Sequence, residues 1–265
     1  METRQKDNIT LIHGDCMEYL RSLPDNAFDL AVVDPPYGDG NFQTPPHKRA
    51  MSRDGGGGST VTSDRWNRFG ARFDRYKRTK PTPCAHGEIS EIQPTITPPQ
   101  YTDNQPKGIW WDIAPSQEYF DELFRVSKNQ IIWGGNYFNL PPTRCFLIWR
   151  KLSIPEKFSM AMCEYAWTSF NANAKVFECV PQGTKKDPRF HPTQKPIKLY
   201  QWIMNNYAKQ GFRILDTHLG SGSSAIAAYD LGFEFVGIEI DDTYYKGAVD
   251  RLKRHIENKQ PTLAI

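Results

Sequence analysis

Residues 28–34, Phe-Asp-Leu-Ala-Val-Val-Asp, constrain the fold of this chain more than any other segment. An apolar run with no polar alternation reads as a strand buried on both faces, and such strands belong to parallel sheets covered by helices on each side. Pro35 and Pro36 follow at once, and neither can donate to a ladder, so the strand must end there. The rest of the chain repeats the theme. ITLIHG (9–14) reads as a strand and CMEYLRSL (16–23) as a helix, which makes the opening a β-α-β unit. Further on, a helix is expected near 116–127, with strands at 130–135, 145–149 and 164–170. A helix over 197–208 then precedes FRILD (212–216), a glycine turn, the small-residue helix AIAAYDLG, the strand EFVGIEI and a closing helix over 244–256. Strands alternating with helices predict a mostly parallel α/β sheet with helices on both faces.

At 265 residues the chain suits one catalytic-size domain. Between residues 39 and 108 the periodicity lapses, and the four glycines Gly55–Gly58 and the proline-rich stretch that follows read as a loop-rich insertion. Loops of that length inside a compact domain are usually functional. The net charge of +3 identifies no partner, but its distribution is informative. Arg65, Arg68, Arg72, Arg75, Lys77 and Arg78 interleave with Trp66, Phe69, Phe73 and Tyr76, a pattern that can neutralise phosphates and stack on bases, although a solvated basic loop would look the same. The five cysteines show no Cys-x-x-Cys pair, as expected of reduced thiols. Cys84 and His86, with His47 upstream, are too loose a set for structural zinc, so no metal is expected. No apolar run approaches the ~18 residues of a membrane span and no signal peptide is visible, so the expected location is cytoplasmic.

Three motifs carry chemistry. Asp34-Pro35-Pro36-Tyr37 stands at the C-terminal end of a buried strand, where open α/β sheets bind ligands. A carboxylate, carbonyls held outward by two prolines and an aromatic ring make a pocket for a planar amine. Asp216-Thr217-His218-Leu219-Gly220-Ser221-Gly222-Ser223 follows another strand and opens a helix, where glycines admit close backbone approach and free N–H groups face a ligand. Glu239, ending the next strand, stands roughly where a carboxylate binds ribose hydroxyls in dinucleotide folds. The third motif, His191-Pro192-Thr193-Gln194-Lys195-Pro196, offers Thr193 as a cap for the helix that follows, or polar groups that close over a cofactor. Asp15 and Cys16 end the first strand, where Asp15 could take a hydrogen bond from an adenine amine or only cap the next helix.

In this order, DPPY, then HPTQKP, then the Gly-x-Gly loop, the motifs resemble the β group of DNA amino-methyltransferases, over about Ile9 to Asp34 and Trp110 to Ile256. The resemblance implies a Rossmann-like S-adenosylmethionine-dependent fold with cyclically permuted motifs. It implies that Asp216, Gly220, Gly222 and Glu239 hold S-adenosylmethionine, helped by Asp15, Cys16, Thr193 and Lys195. Asp34, His191, His218, Ser221 and Ser223 are expected beside them. The family wording of the glycine loop, Asp-Pro-Phe-x-Gly-Ser-Gly-Thr, is altered here at Thr217, His218 and Ser223, so the contacts of the usual Phe are replaced.

By the same resemblance Asp34, Pro35, Pro36 and Tyr37 hold the target base. A base within a duplex cannot reach such a pocket and must be flipped out. The expected activity is methylation of adenine N6 in double-stranded DNA. Three alternatives remain: N4-cytosine methylation by the same geometry, a protein-glutamine or RNA methyltransferase, and a non-catalytic nucleic-acid-binding subunit that keeps the fold. Residues 171–190 form a short candidate recognition region, which leaves the basic insertion to share DNA contact. The family also admits a homodimer and a cognate restriction endonuclease as partners.

Overall fold

The structure, a computed structural model, describes residues 2–38 except 7, 113–181 except 156, 159 and 160, and 187–259. All belong to one compact unit formed by residues 1–44 and 107–265. The expected insertion over 39–108, with Arg65, Arg68, Arg72, Arg75, Lys77 and Arg78 and the loose set His47, Cys84 and His86, lies outside the described residues.

The first elements are β1 (Glu2–Lys6), β2 (Ile9–His13), α1 (Cys16–Arg21) and β3 (Leu30–Val33). After the insertion come α2 (Gln117–Val126), β4 (Gln130–Trp133), a 3₁₀ turn (Gly135–Tyr137), β5 (Phe146–Lys151), β6 (Cys163–Thr168) and β7 (Lys175–Cys179). The chain closes with α3 (Ile197–Tyr207), β8 (Arg213–Asp216), α4 (Ser223–Leu231), β9 (Glu234–Glu239) and α5 (Asp242–Lys259).

The strands form one sheet in the order β1-β2-β9-β8-β3-β4-β6-β5-β7. The five central strands, β2, β9, β8, β3 and β4, are mutually parallel. β6 pairs antiparallel with both β4 and β5, and β1 lies antiparallel on β2. This is a Rossmann-like sheet, mostly parallel as its apolar runs require. β3 and β4 are buried at every residue. Alternation within the strands divides the core in two. Leu30, Val32, Ile131, Trp133, Ile214 and Phe235 face α3, α4 and α5. Ala31, Val33, Ile132, Leu215, Val236 and Ile238 face α1 and α2.

Two elements depart from expectation. β1 is a polar strand whose pairing with β2 supplies what its composition does not. β7, inside the candidate recognition region 171–190, is part of the sheet and runs parallel to β5, while residues 182–186 lie outside the described residues. The chain leaves the sheet after β3 at Gly38 and rejoins it beside the same point. A Cβ on Gly38, whose φ is +67°, would sit 3.0 Å from the Ala114 nitrogen.

From β8 the chain crosses to β9 on one side, and from β3 to β4 on the other. The crevice where strand order reverses therefore opens between the C-terminal ends of β8 and β3, where such sheets bind ligands. Replacing Phe235, fully buried at the sheet centre, with Ala should cost about 3–5 kcal/mol. Urea unfolding should show a lower midpoint with an unchanged slope.

Candidate functional site

The parallel strands end on one edge of the sheet and deliver the three motifs to one cleft. Asp34, Pro35, Pro36 and Tyr37 follow β3, while His218, Leu219, Gly220 and Ser221 follow β8. Glu239 ends β9, and His191, Thr193, Gln194 and Lys195 form the opposite wall. A second cavity adjoins the first, lined by Gly14, Asp15, Cys16, Met17, Tyr119 and Thr217, and the two share Pro36, His218, Glu239 and Ile240. Residues separated by more than two hundred positions thus meet because their strands are neighbours.

An ion-pair chain holds Asp34. Lys195 Nζ donates to Asp34 Oδ2 and lies 3.2 Å from Glu164 Oε2, while Lys151 Nζ lies 2.6 Å from Glu164 Oε1. Tyr37 Oη donates to Asp34 Oδ1 at 2.8 Å. Lys195, 4% exposed, also lies 5.3 Å from the centre of the Trp133 ring. Burial pushes the Asp34 carboxyl above its usual range; Lys195 opposes that and Glu164 adds to it. For Lys195, burial disfavours the ammonium, but Asp34 and Glu164 outweigh it and raise its pKa. The cation therefore stays charged, and it draws the Glu164 carboxyl below its usual range while offsetting part of what burial does to Asp34. A carboxylate has about four lone-pair positions, so Asp34, with one donor on each oxygen, keeps room for an amine. Sequence reading placed Lys195 with the cofactor; the structure places its charge on Asp34. It missed Glu164 and Lys151, whose one signal was a charge within each aromatic-rich strand.

The Tyr37 ring depends on two glycines. A Cβ on Gly134, at φ +66°, would lie 2.1 Å from Tyr37 Cε1, and one on Gly135 would lie 2.4 Å from Trp167 Cβ. With both side chains reduced to hydrogen, the 3₁₀ turn brings Tyr137 face to face with Tyr37, centroids 4.7 Å apart and planes at 10°. Tyr137 is 53% exposed and was not expected at the site.

In the glycine loop, Gly220 is at φ +52°, and a Cβ there would press on the His191 ring at 3.3 Å. Its N–H donates to Glu239 Oε2 at 2.7 Å, and Asp241 N donates to Oε1 at 2.9 Å. Burial raises the Glu239 carboxyl and these backbone donors oppose the shift. Asp216 does not line the cleft. It accepts from His218 N at 3.0 Å and Ser224 Oγ at 2.6 Å, fixing the loop from beneath, and burial lifts its pKa to about 7. Gly222 also turns away, toward Ala248. Arg251 of α5 braces the loop, donating to Ser221 O and Ser223 Oγ, each at 2.8 Å, while it pairs with Asp187 at 2.6 Å.

Asp15 caps α1, accepting from Met17 N at 2.8 Å, and still borders the second cavity. Burial pushes the Cys16 thiol up to about 12, so it is a contact surface and not a nucleophile. Thr193 does not cap α3. Pro196 is the N-cap without a side-chain bond, and Thr193 instead presents its N–H and hydroxyl to His191 Nδ1 at 3.3 and 3.1 Å. Burial holds His191 down at about 3, so it is neutral.

The joined cavities fit an adenosyl group carrying a charged amino-acid tail. They offer apolar walls at Ile238, Ile240 and Pro36, carboxylates at Glu239 and Asp15, and a backbone cradle at Gly220.

Because the Asp216 pKa is raised, its stabilisation is full below about pH 4, the unfolded carboxylate value, and is lost as pH rises through about 7. Asp216→Asn cannot titrate. The stability difference between it and the parent chain should change by about 1.4 kcal/mol per pH unit across that window, measured by urea unfolding. A constant difference would contradict the placement of Asp216.

A family model described as DNA methylase, N6_N4_Mtase, matches residues 76–250 and so reaches into the segment between β3 and α2. The type II methyltransferase M2.DpnII of Streptococcus pneumoniae is similar, 25% identical over 95% of this chain and 92% of its own length. M2.LlaDCHI of Lactococcus lactis subsp. cremoris is 26% identical over 94% and 91%. Among solved structures, the M1.HpyAVI-SAM complex is 17% identical with a TM-score of 0.48, covering 92% of this chain and 99% of that one. With the family model spanning well over half of its length and both halves of the cleft assembled at one sheet edge, this chain belongs to the N6/N4 DNA methylase family.

Proposed function

We propose that the protein transfers a methyl group from S-adenosylmethionine to N6 of an adenine flipped out of double-stranded DNA. The observation that carries this reading is the setting of Asp34, Pro35 and Tyr37 at the cleft wall, with the Asp34 carboxylate pinned by Lys195 and Tyr37.

The cofactor supplies an activated methyl on a sulfonium. Glu239 and Asp15 would hold its hydroxyls and amine, with Gly220 and Ser221 along its length. An exocyclic amine is a poor nucleophile because its lone pair is delocalised into the ring. Asp34 and the Pro35 carbonyl accept its two N–H bonds and localise that lone pair, and the Tyr37 ring stacks on the base. The nitrogen becomes acidic as it acquires the methyl, and Asp34, its pKa raised by burial, is the adjacent acceptor for the proton. The basic residues Arg65 to Arg78 contact phosphates in this reading. No helix among the described residues is long and apolar enough to cross a membrane, and we place the activity in the cytoplasm. In this reading a cognate restriction endonuclease is a partner activity, which the type II naming of two similar methyltransferases supports.

Incubation with methyl-labelled S-adenosylmethionine and unmethylated phage DNA, followed by digestion to nucleosides, should yield N6-methyladenine. Asp34→Ala should yield none while still binding cofactor. N4-methylcytosine would move the reading to the sister chemistry, and no labelled base would overturn it.

Lys195→Met strands Asp34 beside Glu164. Burial and Glu164 then act on the Asp34 carboxyl unopposed by Lys195 and raise its pKa further, so the acidic limb of the rate profile should move to higher pH. Turnover at neutral pH, with saturating cofactor, should fall about a hundredfold. An unshifted limb would show that Lys195 serves only the cofactor.

A further inference from the structure

The residues shared by both cavities form the waist of the cleft, and His218 stands there in the position that the family wording gives to Phe. Its Nδ1 lies 2.9 Å from Thr217 Oγ1 and 3.5 Å from Tyr119 Oη, and the two hydroxyls lie 2.6 Å apart. Tyr119 and Thr217 are both buried.

Every proton order that satisfies both hydroxyls of this triad makes Nδ1 an acceptor. If Tyr119 donates to Thr217 and Thr217 donates to Nδ1, every hydroxyl proton has an acceptor. If Nδ1 carried the proton and donated to Thr217, Thr217 would donate to Tyr119, and the Tyr119 proton would have no acceptor within the triad. Nδ1 is therefore the acceptor and Nε2 carries the hydrogen. Burial holds the ring's pKa down at about 4, so this neutral form prevails at physiological pH. Among the described residues nothing hydrogen-bonds Nε2, although the ring borders both cavities.

We propose that His218 is a cofactor-contact residue whose tautomer is locked by Thr217 and Tyr119, so that its Nε2–H donates to an acceptor on the adenosyl group, a purine nitrogen or a ribose oxygen. The inference rests on the methyl-donor reading of the cleft. It complements Glu239 at the same waist: the carboxylate accepts from ligand hydroxyls, and the imidazole donates to ligand lone pairs. A Phe in this place would offer neither.

Calorimetric titration with S-adenosylhomocysteine tests binding without turnover. His218→Phe keeps a ring and loses the donor, and should raise Kd about five- to tenfold. His218→Gln, which can place an amide N–H near the Nε2 position, should recover part of that loss. His218→Asn, whose amide reaches only the Nδ1 position, should not. Nitrogen NMR of the ligand-free protein should show the Nε2–H tautomer for His218, and Thr217→Val should make it a mixture. An Nδ1–H tautomer, or a wild type that binds while Phe, Gln and Asn all bind equally well, would overturn the inference alone. A wild type that fails to bind S-adenosylhomocysteine would overturn the methyl-donor reading on which it stands.

Discussion

The buried pairing of Lys195 with Asp34 is the interaction on which the site depends. A lone carboxylate in that position would be too costly to keep ionised, and a lone ammonium would lose its proton for the same reason. Together they are tolerable because each has a further partner: Tyr37 for the acid, Glu164 for the base, and Lys151 for Glu164 in turn. The pairing also joins the wall that follows β3 to the wall that precedes α3, so it closes the cleft as well as setting its charge. Such pairs contribute little net stability compared with apolar side chains, and their value here lies in fixing one geometry for an acceptor.

A second constraint is steric. The turn after β4 passes so close to Tyr37 and Trp167 that neither Gly134 nor Gly135 has space for a methyl group. The reactive wall is therefore set by backbone contact on one side and charge on the other. Polar bracing completes it from below, where Asp216 ties His218 to Ser224 and Arg251 links the glycine loop to Asp187.

Much of this was legible in the chain itself. The apolar run before Asp34 and the glycine turn after Asp216 are local signals, and both lie where periodicity and turn chemistry put them. What escaped was set by strand neighbourhood. Glu164 becomes a partner of Lys195, and Lys151 of Glu164, only because β6 lies between β4 and β5, an order no local pattern encodes. β1 escaped because its polar composition is overridden by pairing with β2. Thr193 and Asp216 make bonds that their motifs do not specify, Thr193 to His191 and Asp216 to the loop beneath the cleft: a residue type at a motif position says what it can bond, and only packing says which bond it makes.

The approach of Gly38 to Ala114 has a consequence for how such a chain can diversify. The segment between them starts and finishes at one doorway, so its length and content can change without altering the register of any strand, and the loop-closure cost grows only slowly with length. That doorway opens directly after Tyr37. A lineage can therefore exchange the whole segment as a cassette while the strand register and the chemistry of the described cleft stay as they are.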